Sequence, residues 1–196
     1  MSIPDFMRFF IALEIPENSR QEICDIQAEV EKLIPEAKIT GSNKLHLTIA
    51  FIGDQPDRLK DNLIQMLREA AKGIPPFQVT PGYIDGFPHL HTANTLWIGV
   101  KDDIDKLYLL RHRIKDGLKD LQLLADQRRF VPHIAIAKLS NDFELSEAVE
   151  IRLEELMNRS FSPIEVSSVK LFESIPDQSL HTHNTLAEIE LVNGDK

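Results

Sequence analysis

The sequence is poor in the residues that crosslinked or strongly basic proteins need. A single cysteine, Cys24, stands among 196 residues, so no disulfide can form within the chain. A lone thiol is typical of a protein kept in a reducing compartment. Basic residues are also scarce: 22 lysines and arginines against 31 acidic residues give a formal net charge of −9. Because an acidic surface repels a polyanion, the charge argues against a protein that coats nucleic acid, but a small phosphate site in a locally basic cleft stays open.

Long hydrophobic runs are lacking as well. The apolar stretch near the N-terminus, "MRFFIALEI" at 7–15, is too short to cross a bilayer and contains Glu14. It also lacks the basic segment that precedes the core of a secretion signal. With 42% hydrophobic and 27% charged residues, the composition is that of an ordinary globular protein. We therefore expect one folded domain over 1–196 that is cytoplasmic, monomeric and not associated with a membrane.

Hydrophobic periodicity predicts an alternation of strands and helices. Branched and aromatic residues bounded by turn residues predict strands, and apolar residues spaced by three and four predict a helix after each of four strands. The predicted strands are 7–15, 44–52, 77–87, 95–100, 130–138, 161–174 and 185–192.

The two halves of the chain repeat this order at a constant offset. His133 follows His46 by 87 residues, and "LWIGV" from Leu96 follows "FFIAL" from Phe9 by the same 87 residues. We therefore predict a duplicated unit, with repeats at about 7–90 and 94–192. Two such lobes predict an α+β fold with mainly antiparallel sheets, helices on the outside and a central cleft.

Two histidines occupy equivalent places in otherwise apolar strands. Alternation puts His46 and Thr48 on one face of their strand, and His133 and Ala135 on one face of theirs. Lobes related by a pseudo-twofold axis would bring these faces together across the cleft. Paired imidazoles suit general acid and base catalysis near neutral pH. A histidine in such a strand is also often a core residue with a hydrogen-bond partner, and the residues alone leave both alternatives open.

The stretches "LHLTIAFIG" (45–53) and "FVPHIAIAK" (130–138) resemble the two His-x-Thr/Ser signatures of the 2H phosphoesterases. With "RFFIALEIPE", "GFP", "LWIGV" and "LFES", the chain most resembles the RNA 2′,3′-cyclic phosphodiesterases, also called RNA 2′,5′-ligases. The resemblance implies hydrolysis of 2′,3′-cyclic phosphates, at RNA 3′ ends or on nucleotides, to 2′-phosphates. It implies that His46 and His133 form the acid–base pair, that Thr48 binds a phosphate oxygen, and that no metal or cofactor is needed.

The chain departs from this family pattern in its second signature. Ala135 stands where threonine or serine is expected, and Lys138 stands where arginine is usual. Because alanine cannot donate a hydrogen bond to phosphate, three alternatives stay open: a slower enzyme, a nucleotide- or RNA-end-binding module, and an enzyme for another cyclic phosphate. Arg128, five residues before His133, is either a phosphate-binding residue or a solvated arginine.

Four further histidines form two His-x-His pairs, His89 with His91 and His181 with His183. Such spacing can present two metal ligands on one side of an extended segment. Both pairs lie in polar, turn-rich stretches, so we expect exposed loop histidines and no metal site.

Overall fold

The computed structural model of the chain describes residues 5–124, 129–175 and 182–193. Within these residues, the chain forms nine strands and four α-helices. The strands are β1 (Phe6–Glu14), β2 (Lys38–Ile39), β3 (His46–Pro56), β4 (Phe77–Phe87), β5 (Thr95–Lys101), β6 (His133–Lys138), β7 (Ile164–Val166), β8 (Ser168–Ile175) and β9 (Thr182–Glu190). The helices are α1 (Glu17–Leu33), α2 (Lys60–Ala71), α3 (Ile104–Asp120) and α4 (Glu147–Leu156).

The predicted elements are present, with differences at their ends. The strand predicted at 130–138 begins only at His133, directly after Pro132, which has no N–H to donate to a neighbouring strand. The strand predicted at 161–174 is divided into β7 and β8. The two-residue strand β2 has no counterpart in the prediction, because so short a segment carries no periodicity.

The strands form one curled sheet in the order β7-β4-β5-β6-β3-β1-β8-β9, and β2 also pairs with β6. All of these pairings are antiparallel. The central strands β3 and β6 are joined where Leu47 pairs with Ile134. The predicted α+β class with mainly antiparallel strands is confirmed, and a continuous sheet links the two halves.

Each half of the sheet contains strands from both halves of the chain. β4 precedes the midpoint of the chain but pairs with β5, and β8 returns from the second half to pair with β1. The short connection from β4 to β5 explains the first pairing, since consecutive antiparallel strands usually form a hairpin. The repeats at about 7–90 and 94–192 stay a prediction. With this topology, the third strand of each repeat would pair with the first strand of the other repeat.

The four helices cover one face of the sheet and bury its apolar residues. Leu45, Leu47 and Ile49 of the first histidine stretch face this core, as do Ile134 and Ile136 of the second. The buried Gln27 of α1 adds a polar link, because its amide nitrogen donates to the carbonyl oxygens of Thr40 and Ile136 at 2.7 and 2.8 Å. The opposite face, which we call the open face, carries the half-buried His46, Thr48, His133 and Ala135. The predicted division between the two faces is therefore confirmed.

We expect Ile134→Ala to lower the free energy of unfolding by about 2–5 kcal/mol, because it opens a cavity at the junction of β3, β5 and β6. The side chain of Ile134 is fully buried. Urea denaturation measures the change. Ile151→Ala is the matched control, since Ile151 of α4 is 50% exposed and its truncation should cost less than about 0.5 kcal/mol. Equal losses of unfolding free energy in the two variants would show that the junction of β3, β5 and β6 is not a critical part of the core.

Candidate active site

The two signature histidines meet on the open face at the centre of the sheet. Each is the first residue of its strand, and Leu47 pairs with Ile134 one residue further along. An antiparallel register continues in opposite directions on its two strands, so Thr48 lies across from His133, and Ala135 lies across from His46. The structure thus brings together four residues that the sequence pattern singled out, with the two histidines on a diagonal.

Both imidazoles are held by the same local contact. Nδ1 of His46 lies 2.6 Å from the carbonyl oxygen of Lys44, and Nδ1 of His133 lies 2.7 Å from that of Val131. A carbonyl oxygen can only accept, so Nδ1 carries the hydrogen in each ring and Nε2 is left for proton transfer. A 3₁₀ turn at Ser42–Lys44 comes just before the first of these strands, and Pro132 comes directly before the second. In both places the ring contacts the carbonyl oxygen two residues back.

A buried aromatic ring packs against each histidine. The ring centroids are 5.2 Å apart for Phe10 and His46, and 5.6 Å apart for Trp97 and His133. Phe10 and Trp97 are each 3% exposed, and they are separated by the same 87 residues as the histidines. Sequence reasoning placed both in strands without assigning them to the site. The shared offset was the signal that could have found them.

The expectation that His183 is an exposed loop histidine is wrong. His183 lies in β9, is half-buried, and has its ring centroid 5.2 Å from that of His46 and 4.8 Å from that of Phe10. The pairing of β8 with both β1 and β9 carries it there, since Phe172 pairs with Phe10 and Ser174 pairs with His183. The predicted last strand began at 185, which left His183 in the turn. His181 lies outside the described residues.

The surroundings of His46 disfavour a proton on its ring. The pKa of His46 is lowered to about 4, chiefly by burial and then by the positive charge that His183 and, to a smaller extent, His133 can carry, while the hydrogen bond to the carbonyl oxygen of Lys44 opposes the shift. An ordinary imidazole has a pKa near 6.5. His46 is therefore neutral at neutral pH, and its Nε2 can accept a proton.

Only one of the two strands supplies a hydroxyl beside the histidines. Thr48 is half-buried on β3, whereas the matching residue on β6 is Ala135. Trp97 pairs with Ala135 across the strands, and its buried indole Nε1 has no hydrogen-bond partner in the part of the chain that is described. Arg128, the other predicted phosphate-binding residue, lies outside the described residues. Lys138 is exposed at the end of β6.

The first His-x-His pair is exposed in a loop that follows β4. His89 and His91 are both exposed, as expected, and Nδ1 of His91 lies 2.9 Å from a carboxylate oxygen of Glu150. That carboxylate raises the pKa of His91. Among the described residues, no group of three or more histidine, cysteine or acidic side chains is arranged to hold a metal ion. No described helix is long and apolar enough to span a membrane.

Known proteins match the chain in sequence and in fold. The chain is 27% identical over 169 residues to the RNA 2′,3′-cyclic phosphodiesterase of Methanocaldococcus jannaschii, a match that covers 86% of this chain and 91% of that relative. The structure of TT0787 of Thermus thermophilus superposes with a TM-score of 0.79 at 19% identity, covering 95% of this chain and 99% of the other. The structure of E. coli LigT complexed with 3′-AMP has a TM-score of 0.75 at 18% identity, with 95% and 99% coverage.

The family model for the 2′-5′ RNA ligase superfamily matches residues 10–174. This range contains both histidine signatures and the strands that carry them. The resemblance drawn from the two signatures is therefore confirmed, and the chain belongs to the 2′-5′ RNA ligase superfamily.

Proposed function

We propose that this chain is a hydrolase that opens 2′,3′-cyclic phosphates, at RNA 3′ ends or on nucleotides, and leaves a 2′-phosphate. The observation that carries the proposal is the pair of equally tethered imidazoles, His46 and His133, on the open face of the central strands. The name of the relative from M. jannaschii supports this substrate class, and so does the 3′-AMP complex of LigT.

The arrangement suits an in-line displacement at phosphorus. Diagonal neighbours on an antiparallel pair are about 7–8 Å apart, which leaves room for a phosphate between the two Nε2 atoms. Attacking and leaving oxygens then lie on opposite sides of the phosphorus, each beside one imidazole.

Each proton in this reaction has a donor and an acceptor. His46 accepts a proton from water while the water oxygen bonds to phosphorus, and the bond from phosphorus to the 3′-oxygen breaks. His133, protonated on Nε2, donates to that departing oxygen. The hydroxyl of Thr48 donates to a non-bridging oxygen and stabilises its growing charge. We assign the accepting role to His46 because its surroundings keep it neutral.

Replacing either histidine should abolish most of the activity. We expect His46→Ala and His133→Ala each to lower kcat/KM about 10²- to 10⁴-fold, because each removes one proton-transfer step. The assay is hydrolysis of an oligonucleotide with a 2′,3′-cyclic phosphate end in the presence of EDTA, with products identified by phosphorus NMR. His112→Ala is the control, since His112 is exposed on α3 near Asp116. Wild-type rates in both signature variants would refute the mechanism.

The pH dependence should reflect the low pKa of His46. Raising the pH through about 4 removes the proton from His46, so kcat/KM should rise there and not near 6.5. The apparent value belongs to the interacting pair of histidines. Circular dichroism at each pH shows whether the protein stays folded. An acid limb at 6.5 or above, in folded protein, would contradict the accepting role of His46.

A second candidate function is suggested by Ala135: a module that binds nucleotides or RNA ends with little turnover. A hydrogen bond to a charged group contributes about 1.5–3 kcal/mol, so we expect Ala135→Thr to raise kcat about 10- to 100-fold. Ala135→Val is the matched control, with the shape of threonine and no hydroxyl. The enzyme proposal requires measurable turnover in the wild type. Tight binding of 2′- or 3′-nucleotides without turnover, and activity only in Ala135→Thr, would establish the binding module instead.

A further inference from the structure

Among the described residues, the two signature histidines share two contacts and differ in the ring that meets one edge of each imidazole. Both are tethered through Nδ1 and both pack against a buried aromatic ring. The edge contact differs. Phe87 meets the ring of His133 at 4.9 Å and an interplanar angle of 85°, whereas His183 meets the ring of His46 at 5.2 Å and 73°. A third imidazole thus stands beside one histidine, and a phenyl ring stands beside the other.

We propose that His183 is a positioning residue for His46, which it holds in place and keeps unprotonated, so that His46 rather than His133 accepts the proton from water. The assignment of the accepting role rests on the proposed function. The effect of His183 on His46 does not, because it is a property of the free protein.

The positioning part of the proposal follows from the packing of three rings. His46, Phe10 and His183 contact one another pairwise, with centroid separations between 4.8 and 5.2 Å. Phe172 stacks on Phe10 from β8 at 5.0 Å and supports the group from the side. The Lys44 tether fixes one nitrogen of His46, and the edge contact with His183 limits rotation of the ring about that tether. Nε2 is thereby kept in one direction.

The electrostatic part follows from the groups that face His46. His133 faces it from β6 and His183 from β9, and both act against a proton on its ring. Glu14, which pairs with His46 from β1, is already engaged by Lys170 of β8 and lies 3.7 Å from Arg20 of α1. Phe10 and Phe172 carry no charge. A positive charge on His183 therefore disfavours protonation of His46. Glu14 is the one carboxylate that faces the ring from the described strands, and it already forms ion pairs with Lys170 and Arg20.

The two contributions are separated by His183→Phe and His183→Ala. Phenylalanine keeps a ring at the edge, as Phe87 does beside His133, but cannot carry charge. Alanine removes both the ring and the charge. His112→Phe is the matched control, because it makes the same replacement on an exposed face of α3.

The first measurement is an NMR titration of the Cε1 proton of His46 in the full-length protein without substrate. We expect its midpoint to rise by on the order of one pH unit in His183→Phe and to stay unchanged in His112→Phe. A residue that only fills space would leave the midpoint unchanged in His183→Phe. That result would overturn the electrostatic part of the proposal, whether or not the protein hydrolyses cyclic phosphates.

The second measurement is kcat/KM against pH for the same variants. The acid limb should move to higher pH in His183→Phe by the same amount as the NMR midpoint. In His183→Ala, kcat should fall about 10- to 100-fold with little change in KM, and His183→Phe should restore most of it, because the ring again holds His46. A shifted NMR midpoint with an unmoved acid limb would show that His46 is not the proton acceptor. Equal kcat in all variants would overturn the positioning part.

Discussion

One backbone pairing, between Leu47 of β3 and Ile134 of β6, determines where the functional groups of this protein stand. Both side chains are buried against the helices, so the neighbouring residues of each strand must emerge on the open face. A slip of one residue in either strand would turn its histidine into the core and expose its leucine or isoleucine instead. The free-energy cost of that exchange holds the register, and the register holds His46 and His133 diagonally opposite one another on the open face.

The pairing of β3 with β6 positions the two imidazoles, and short-range contacts set their tautomer and their surroundings. A carbonyl two residues back selects the same tautomer in both histidines and leaves Nε2 for proton transfer. Phe10 and Trp97 exclude water from one side of each imidazole, which strengthens electrostatic effects there. Burial and the positive charge that His183 and His133 can carry together lower the pKa of His46.

The surroundings of His46 and His133 are nearly symmetric, so the differences between them are informative. The two histidines share the same backbone tether and the same aromatic support, yet the proposed hydrolysis needs one ring to accept a proton and the other to donate one. Two differences break the equivalence: Ala135 across from His46, where a hydroxyl would match Thr48, and His183 at the edge of His46, where Phe87 lies beside His133. The first reduces the hydrogen bonds available to phosphate, and the second distinguishes the two imidazoles.

The alternation in "LHLTIAFIG" and "FVPHIAIAK" was enough to predict which faces carry His46, Thr48, His133 and Ala135, because the two-residue period of a strand is a local property. The α+β class and the four helices followed from periodicity in the same way. Tertiary structure alone decided that β8 returns from the second half of the chain to pair with β1. It also decided that His183, in a strand beyond a polar turn, comes within 5.2 Å of His46. Such a contact depends on the curl of the sheet and on pairing between distant strands. Neither can be predicted from the periodicity of the sequence around His183.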